Sequence, residues 1–225
     1  APTEIAALLA SVGGLGLTHS RRSEEQVALD QFSTPPELAA LAVLSAQVRP
    51  GDRVLEPSAG TGLIAVVAEA CGGELTLNEI GAGRADLLDG LFPTATRSRH
   101  DGRHVQDVLP DAGRFDVAVC NPPFSELEAH LIAAFAALAD GGRMAAIVPL
   151  TALGDDALLA RLGSKGRIHA RIAFPPRAFA RHGTTVDTGL LVIDRTEPEG
   201  APPPLTGGED LAACAALAAA VTARP

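Results

Sequence analysis

Apolar positions along the chain fall into two alternating rhythms. Runs at 53–58 (RVLEPS), 74–79 (ELTLNE), 115–121 (FDVAVCN), 143–149 (RMAAIVP), 167–174 (RIHARIAF) and 188–194 (TGLLVID) are rich in Val, Ile and Leu, which predicts strands. Residues 94–101 give a weaker, more polar strand. Between these runs, 62–71, 83–92, 125–140 and 155–162 read as helices. Ahead of the first strand, Leu38, Leu41, Ser45 and Val48 recur near helical spacing over 37–48, and RPGD closes that segment as a turn. Further upstream, 4–12 predicts a short apolar helix stopped by GGLG. Ser23 is placed as an N-cap for EEQVALDQF, with Gln26 three residues on as in a capping box.

Strands that alternate with helices build a parallel sheet covered on both faces. The last two strands follow one another through PPRAFARHGTTVD, so they are expected to pair as an antiparallel hairpin at the sheet edge. Seven strands with that ending match the plan of a Rossmann-like methyltransferase. The expected fold class is therefore α/β, Rossmann-like, with a mostly parallel seven-stranded sheet. Residues 1–24 read as an N-terminal helical extension and 25–197 as the catalytic domain. Residues 198–225 read as a Pro/Gly linker, EGAPPPLTGGED, followed by an Ala-rich helix. That last helix has two readings: a stub leading to a further domain, or an element packing back on the sheet.

Composition supports one sizeable domain of 225 residues, 47% hydrophobic, with a mean hydropathy of +0.20. Aromatic content is 3%, with no Trp or Tyr, so each of the seven Phe calls for a reason. No apolar run approaches the roughly 18 residues of a membrane span, and no signal-peptide pattern opens the chain. Cys71, Cys120 and Cys214 form no CxxC pair, which argues against a disulfide framework or a zinc knuckle and makes a reducing cytoplasm the expected compartment. The formal charge is −9 with a single lysine, Lys165, which argues against a domain that grips nucleic acid unaided. The arginines do cluster, at Arg21, Arg22, Arg97, Arg99, Arg103 and from Arg161 to Arg181, so a local basic face is compatible with the acidic whole.

Three stretches carry candidate chemistry. In VLEPSAGTG a strand runs into a loop that opens a helix, where ligands of open α/β sheets bind. Gly60 and Gly62 allow a close backbone approach. The loop is neither GxGxxG nor followed by GK[ST], and Glu56 at the strand end would repel a pyrophosphate but suit a cation. In TLNEI, Glu79 ends the next strand, the position of an acid that accepts from two ribose hydroxyls, and Ile80 can cover a flat ring. In NPPF, the oxygens of Asn121 and of the Pro122 carbonyl can accept from an aromatic amine and draw its delocalised lone pair towards tetrahedral geometry. Pro122 and Pro123 stiffen the loop and add no N–H donors. Phe124 can stack on a base that has been flipped out of a duplex. A cis-proline turn with Phe124 in the core is the structural alternative. HDGRH puts His100 and His104 four apart, but Gly102 interrupts a helix there, so a polar loop and no metal site are expected.

Taken together, QFSTP (31–35), EPSAGTG (56–62), NE (78–79) and NPPF (121–124) resemble the amino-group DNA methyltransferases, and their order is similar to the gamma class of N6-adenine enzymes. The likeness covers about 25–195. A looser one is to methylase domains fused to strawberry-notch-type helicase proteins. NPPF also occurs in ribosomal RNA guanine-N2 methyltransferases, and NPPY in glutamine methyltransferases of release factors.

The resemblance implies S-adenosyl-L-methionine as cofactor and N6 of adenine in DNA as acceptor. Phe32, Ser33, Thr34 and Pro35 would line the methionine moiety. Glu56, Pro57, Ser58, Ala59, Gly60 and Gly62 would form the loop beneath it. Glu79 would hold the ribose and Ile80 would lie on the adenine. Asp101 or Asp107 would accept from the adenine amine, with Asp101 favoured by its place at a strand end. Asn121, Pro122, Pro123 and Phe124 would form the catalytic loop, with Phe174 or Phe179 as a second ring against the base. Family members that modify DNA alone carry a target-recognition domain. About 30 residues follow the last strand, so DNA is expected to be delivered by a fused domain or partner protein. The alternatives are RNA (guanine N2 or adenine N6) or a protein glutamine as acceptor, or an inactive cofactor-binding interaction module.

Overall fold

The computed structural model describes residues 33–180 and 185–225. The expected helices at 4–12 and after Ser23, and Phe32, lie outside the described residues. The first described helix, α1 (Pro36–Ala46), starts with a proline at its first position, where the missing N–H costs nothing. It ends on Gln47 in the left-handed region, whose N–H bonds back to Val43 and Leu44.

Then follow β1 (Arg53–Glu56), α2 (Leu63–Ala70), β2 (Glu74–Asn78), α3 (Ala82–Leu91), β3 (Thr96–Ser98), the short α4 (Val105–Val108), β4 (Phe115–Cys120) and α5 (Leu127–Ala136). The chain continues through β5 (Leu138–Pro149), α6 (Asp156–Gly163), β6 (Arg167–Ala173), β7 (Thr188–Asp194), β8 (Leu205–Gly207) and α7 (Leu211–Ala219). Asp155 caps α6 by accepting from Ala157 N and Leu158 N, and Asp210 caps α7 by accepting from Ala213 N.

The sheet runs β3-β2-β1-β4-β5-β7-β6-β8. β3 through β5 pair in parallel, while β7 is antiparallel to both β5 and β6. Successive strand residues feed opposite faces. Val117 and Val119 pack with α1, α2 and α7, whereas Ala118 and Cys120 pack with α5 and α6.

Three differences from the expected elements have clear causes. The sheet has eight strands, because Leu205–Gly207, inside the segment read as linker, pairs in parallel with β6. That strand is exposed and carries no apolar alternation, so no pattern marks it. The hairpin forms, but β7 inserts between β5 and β6 and is buried along its whole length. The helix after NPPF stops at Ala136, and β5 starts at Leu138 with an irregularity that sets Leu138 opposite Phe115 and Arg143 opposite Val117. Gly141 takes a φ of 80° inside it. The C-terminal helix packs on α1, with Cys214, Ala215 and Ala218 buried.

An ion pair locks the antiparallel half. Arg143 of β5 and Asp194 of β7 are both fully buried and meet through two hydrogen bonds, of 2.6 and 2.9 Å. His169 of β6 adds a contact to Asp194 at 2.9 Å, and Arg143 also donates to the Ser45 carbonyl of α1. Burial pushes the Asp194 carboxyl up, but the bonds from Arg143 and His169 outweigh it and hold its pKa below the ordinary value. That contribution is complete above the ordinary carboxylate pKa and is lost as pH falls through the depressed one. Arg143→Ala strands Asp194 in the core and is expected to cost about 3–5 kcal/mol in urea unfolding. A loss under about 1 kcal/mol would contradict this account.

Candidate active site

Strand order reverses between β1 and β4, and ligands of open α/β sheets bind in the crevice beyond such a reversal. The loop leaving β1 is pinned there, with Ala59 N donating to the Asn78 carbonyl at 2.8 Å. Gly60 has a φ of 58° and turns its N–H onto Glu79 Oε2 at 2.8 Å, while Gly81 N donates to Oε1 at 2.7 Å. These two backbone bonds fix the orientation of the Glu79 carboxyl group.

Asn78 organises this edge. Its Nδ2 donates to the carbonyls of Pro57 (2.9 Å) and His100 (2.8 Å). Its Oδ1 accepts from Ser98 Oγ (2.7 Å) and His100 N (2.9 Å). The side chain is 1% exposed, and every donor and acceptor position is used. One amide therefore ties the loops after β1 and β3 to the end of β2.

Asn121 follows β4 directly. The peptide bonds of its two prolines are trans. Its Nδ2 donates to Thr34 Oγ1 at 3.0 Å, and Oδ1 has no hydrogen bond among the described residues. Phe124 is half-buried and lines the cleft. Cys120, just before Asn121, is no nucleophile: burial, reinforced by Glu56, pushes its thiol up to about 12.

Beside this cleft lies a second recess, and the two share Ser58, Glu79 and Pro123. Ile80 stands 48% exposed on it, an apolar face without cover. Asp101 lines it too. Hydrogen bonds from the Arg103 guanidinium hold the Asp101 carboxyl down at about 2. Arg103 also pairs with Glu126, joining the recess to the segment after Phe124. Gly102 is packed so closely that a Cβ would meet the Pro57 carbonyl at 2.9 Å and His130 Nδ1 at 3.0 Å.

The structure thus brings Ser33, Thr34, Ser58, Ala59, Gly60 and Glu79 together with Asn121, Pro122, Pro123 and Phe124 around one cleft. Pro57, Ile80 and Asp101 line the adjoining recess. Other candidates lie elsewhere. Phe174 (5% exposed) and Phe179 (1%) are core residues packed with α1 and α7, so neither offers a second ring to the cleft. Asp107 sits exposed on α4, bonded to Gln106, and lines neither space.

Glu56 is buried beneath the loop; desolvation, then the charge of Glu79, raises its pKa well above the ordinary value, which favours the neutral acid over a cation site. Gly62 serves packing, since a Cβ there would meet Phe92 at 2.7 Å and Leu88 at 2.9 Å. Pro35 is buried and supplies the carbonyl that accepts from Leu38 N and Ala39 N. The role of Asn78 was missed, although a polar residue ending an apolar strand is the signal for it. Gly102 and Arg103 of the recess were also missed, because their pattern is that of a polar loop, and Glu126 and His130, because the helical reading of 125–140 does not show which side chains meet that loop.

No protein-family model matches the sequence, and no curated protein matches it. Solved structures do match. A protein assigned as a modification subunit of a type I restriction enzyme from Vibrio vulnificus YJ016 superposes with a TM-score of 0.66 at 20% identity, over 88% of this chain. The chain spans 51% of that subunit's length. A protein assigned as a class I S-adenosylmethionine-dependent methyltransferase from Listeria monocytogenes gives 0.66 at 16% identity, over 94% of this chain and 74% of that one. A protein assigned as an RNA methyltransferase from Pyrococcus horikoshii gives 0.65 at 16%, over 86% and 99%. The chain has the fold of class I S-adenosylmethionine-dependent methyltransferases.

Asn78→Ala removes four hydrogen bonds and leaves backbone groups of two loops without these partners. It is expected to cost about 2–4 kcal/mol of stability and to loosen the amides of Gly60 and His100, read as faster hydrogen exchange there than in β4 and β5. Uniform exchange across the sheet would refute the local role.

Proposed function

We propose that this chain transfers a methyl group from S-adenosylmethionine to the exocyclic N6 amine of adenine in DNA. The observation that carries the reading is the shared cleft, lined together by Asn121, Phe124, Glu79 and the loop 58–60.

The residues present fit the cofactor. Glu79, held by Gly60 and Gly81, can accept from ribose hydroxyls. Ile80 can cover the adenine ring, and Asp101 can accept from its amine at the expense of one Arg103 contact. Ser33 and Thr34 line the same cleft and would meet the methionine portion. The cofactor supplies an electrophilic methyl group on a sulfonium centre.

The protein holds the acceptor nitrogen in line with that group. Asn121 Oδ1 and the Pro122 carbonyl take the two amine hydrogens, which localises the nitrogen lone pair. Prolines at 122 and 123 leave no N–H to compete for it. Phe124 stacks on the base. Most of the acceleration then comes from positioning and from preorganised acceptors. The likeness to a modification subunit supports DNA, and the likeness to an RNA methyltransferase keeps RNA as the second reading. With a formal charge of −9, delivery of nucleic acid is assigned to a partner or further domain.

Methyl-labelled cofactor incubated with DNA, RNA and protein decides the acceptor, and label in N6-methyladenine of DNA is the expected result. Asn121→Ala is expected to lower transfer by at least about 100-fold with cofactor Kd changed less than about threefold; equal losses in both would contradict the assigned role. Asp101→Asn is expected to weaken cofactor binding about tenfold, the loss of a charged hydrogen bond, while Asp107→Asn leaves it unchanged in calorimetry.

A further inference from the structure

The arginines that cluster in the sequence are mostly spent on the protein itself. Arg97 pairs with Asp89, Arg99 with Asp86 and Asp89, and Arg103 with Asp101 and Glu126. Arg161 pairs with Glu128 and Arg167 with Glu199, and Arg171 donates to the carbonyls of Leu153 and Pro203. Arg84, which lines the cleft, is 7% exposed and also engaged. Arg21, Arg22 and Arg181 lie outside the described residues. Arg177 differs from all of these. It is exposed, and it is the one described arginine whose guanidinium has no hydrogen bond or ion pair among the described residues.

Its backbone is unusual as well. Arg177 takes a φ of 59°, in the left-handed region that suits glycine and disfavours other residues. Gln47 and Glu126 share that conformation, but Gln47 closes α1 and Glu126 opens α5. Arg177 belongs to no helix or strand. Its surroundings hold it in place. Arg177 N donates to Asp187 Oδ1 at 3.0 Å, and its carbonyl accepts from Ala180 N at 2.9 Å. Pro175 and Pro176 precede it, and Phe174 and Phe179 anchor the turn in the core. A turn that needed only this shape would be better served by glycine. A held, strained backbone that carries an unpaired charge points to a ligand for that charge.

The turn lies on the edge that carries the cleft. Because β7 is antiparallel to both β5 and β6, β6 runs in the direction of β4 and β5. The loop after β6 therefore leaves the same edge as NPPF. Leu150 N, just after β5, donates to the Asp187 carbonyl at 2.8 Å and ties the two loops together. β4 and β6 are three positions apart in the sheet, which is about 14 Å at roughly 4.8 Å per step. One strand of a duplex rises about 3.4 Å per nucleotide, so about four nucleotides cover that span.

We propose that Arg177 binds a backbone phosphate of the DNA strand that carries the target base, a few nucleotides from the base stacked on Phe124. A guanidinium suits this role because its planar fork matches phosphate oxygens. Such a contact sets the position of the strand and carries no sequence information. The inference rests on the proposed methyl-transfer reading for the identity of the strand, so binding and transfer are read separately.

The test is fluorescence anisotropy of labelled oligodeoxynucleotides, single- and double-stranded, titrated with the full chain between about 50 and 200 mM salt. Arg177→Gly is expected to weaken binding about tenfold at the low end and to lower the slope of log K against log salt by about 0.7–0.9. Its thermal midpoint is expected not to fall, since glycine fits the backbone. Arg177→Lys keeps the charge and most of the slope. Lys165→Ala is the control: Lys165 is exposed and its amine has no partner among the described residues, but it precedes β6 and so lies on the opposite edge. Its slope is expected to match the wild type. An unchanged slope in Arg177→Gly, an equal loss in Lys165→Ala, or no oligonucleotide binding by the wild type overturns the contact. RNA of the same sequence is run in parallel, and an Arg177 effect confined to RNA overturns the assignment to DNA. Methyl transfer to the same oligonucleotides is measured alongside. Arg177-dependent binding without transfer keeps the phosphate contact and overturns the methyl-transfer reading, whereas transfer with no Arg177 effect on binding overturns the contact alone.

Discussion

The carboxyl edge of the sheet from β3 to β1 depends on a single buried amide. Parallel strands deliver their ends to a common edge but leave the loops beyond them free to wander. Asn78 removes that freedom by bonding to Pro57, Ser98 and His100 at once. With those loops tied, Glu79, the next residue, is presented beside Gly60, and Asp101 is presented one residue past His100. An amide suits this position because it both donates and accepts, so it can satisfy carbonyls and an N–H from different loops without burying charge. A carboxylate in its place would face two carbonyl oxygens.

The same economy of charge runs through the core. Arg143 and Asp194 are buried as a paired, hydrogen-bonded unit that stitches β5 to β7, where the sheet changes from parallel to antiparallel. Glu56 is treated differently: it lies under the loop with a raised pKa, and its Oε2 has no partner. A neutral acid there avoids placing a second negative charge against Glu79.

Much of this was legible in the sequence. The alternation of apolar runs with helical spacing gave the doubly covered sheet, and the position of EPSAGTG, NE and NPPF after successive strands placed them at one edge, since all parallel strands point the same way. Local pattern ran out where packing decides. Phe174 and Phe179 are aromatic residues near a loop, and only the tertiary fold shows that they fill the core against α1. On paper only a place at a strand end favours Asp101 over Asp107; the backbone turns after His100 and puts one in the recess and the other exposed on α4. Leu205–Gly207 became a strand because β6 offered an open edge, a property of the neighbour and not of the segment.

The chemistry of the cleft follows from what it lacks as much as from what it holds. A neutral aromatic amine needs acceptors, and a flexible loop would bring as many N–H donors as carbonyls. Placing prolines at 122 and 123 deletes those donors at the positions nearest Asn121. Prolines at 35 and 36 likewise leave the start of α1 poor in backbone donors. Two proline pairs, on elements far apart in sequence, therefore bracket the one hydrogen bond between Thr34 and Asn121.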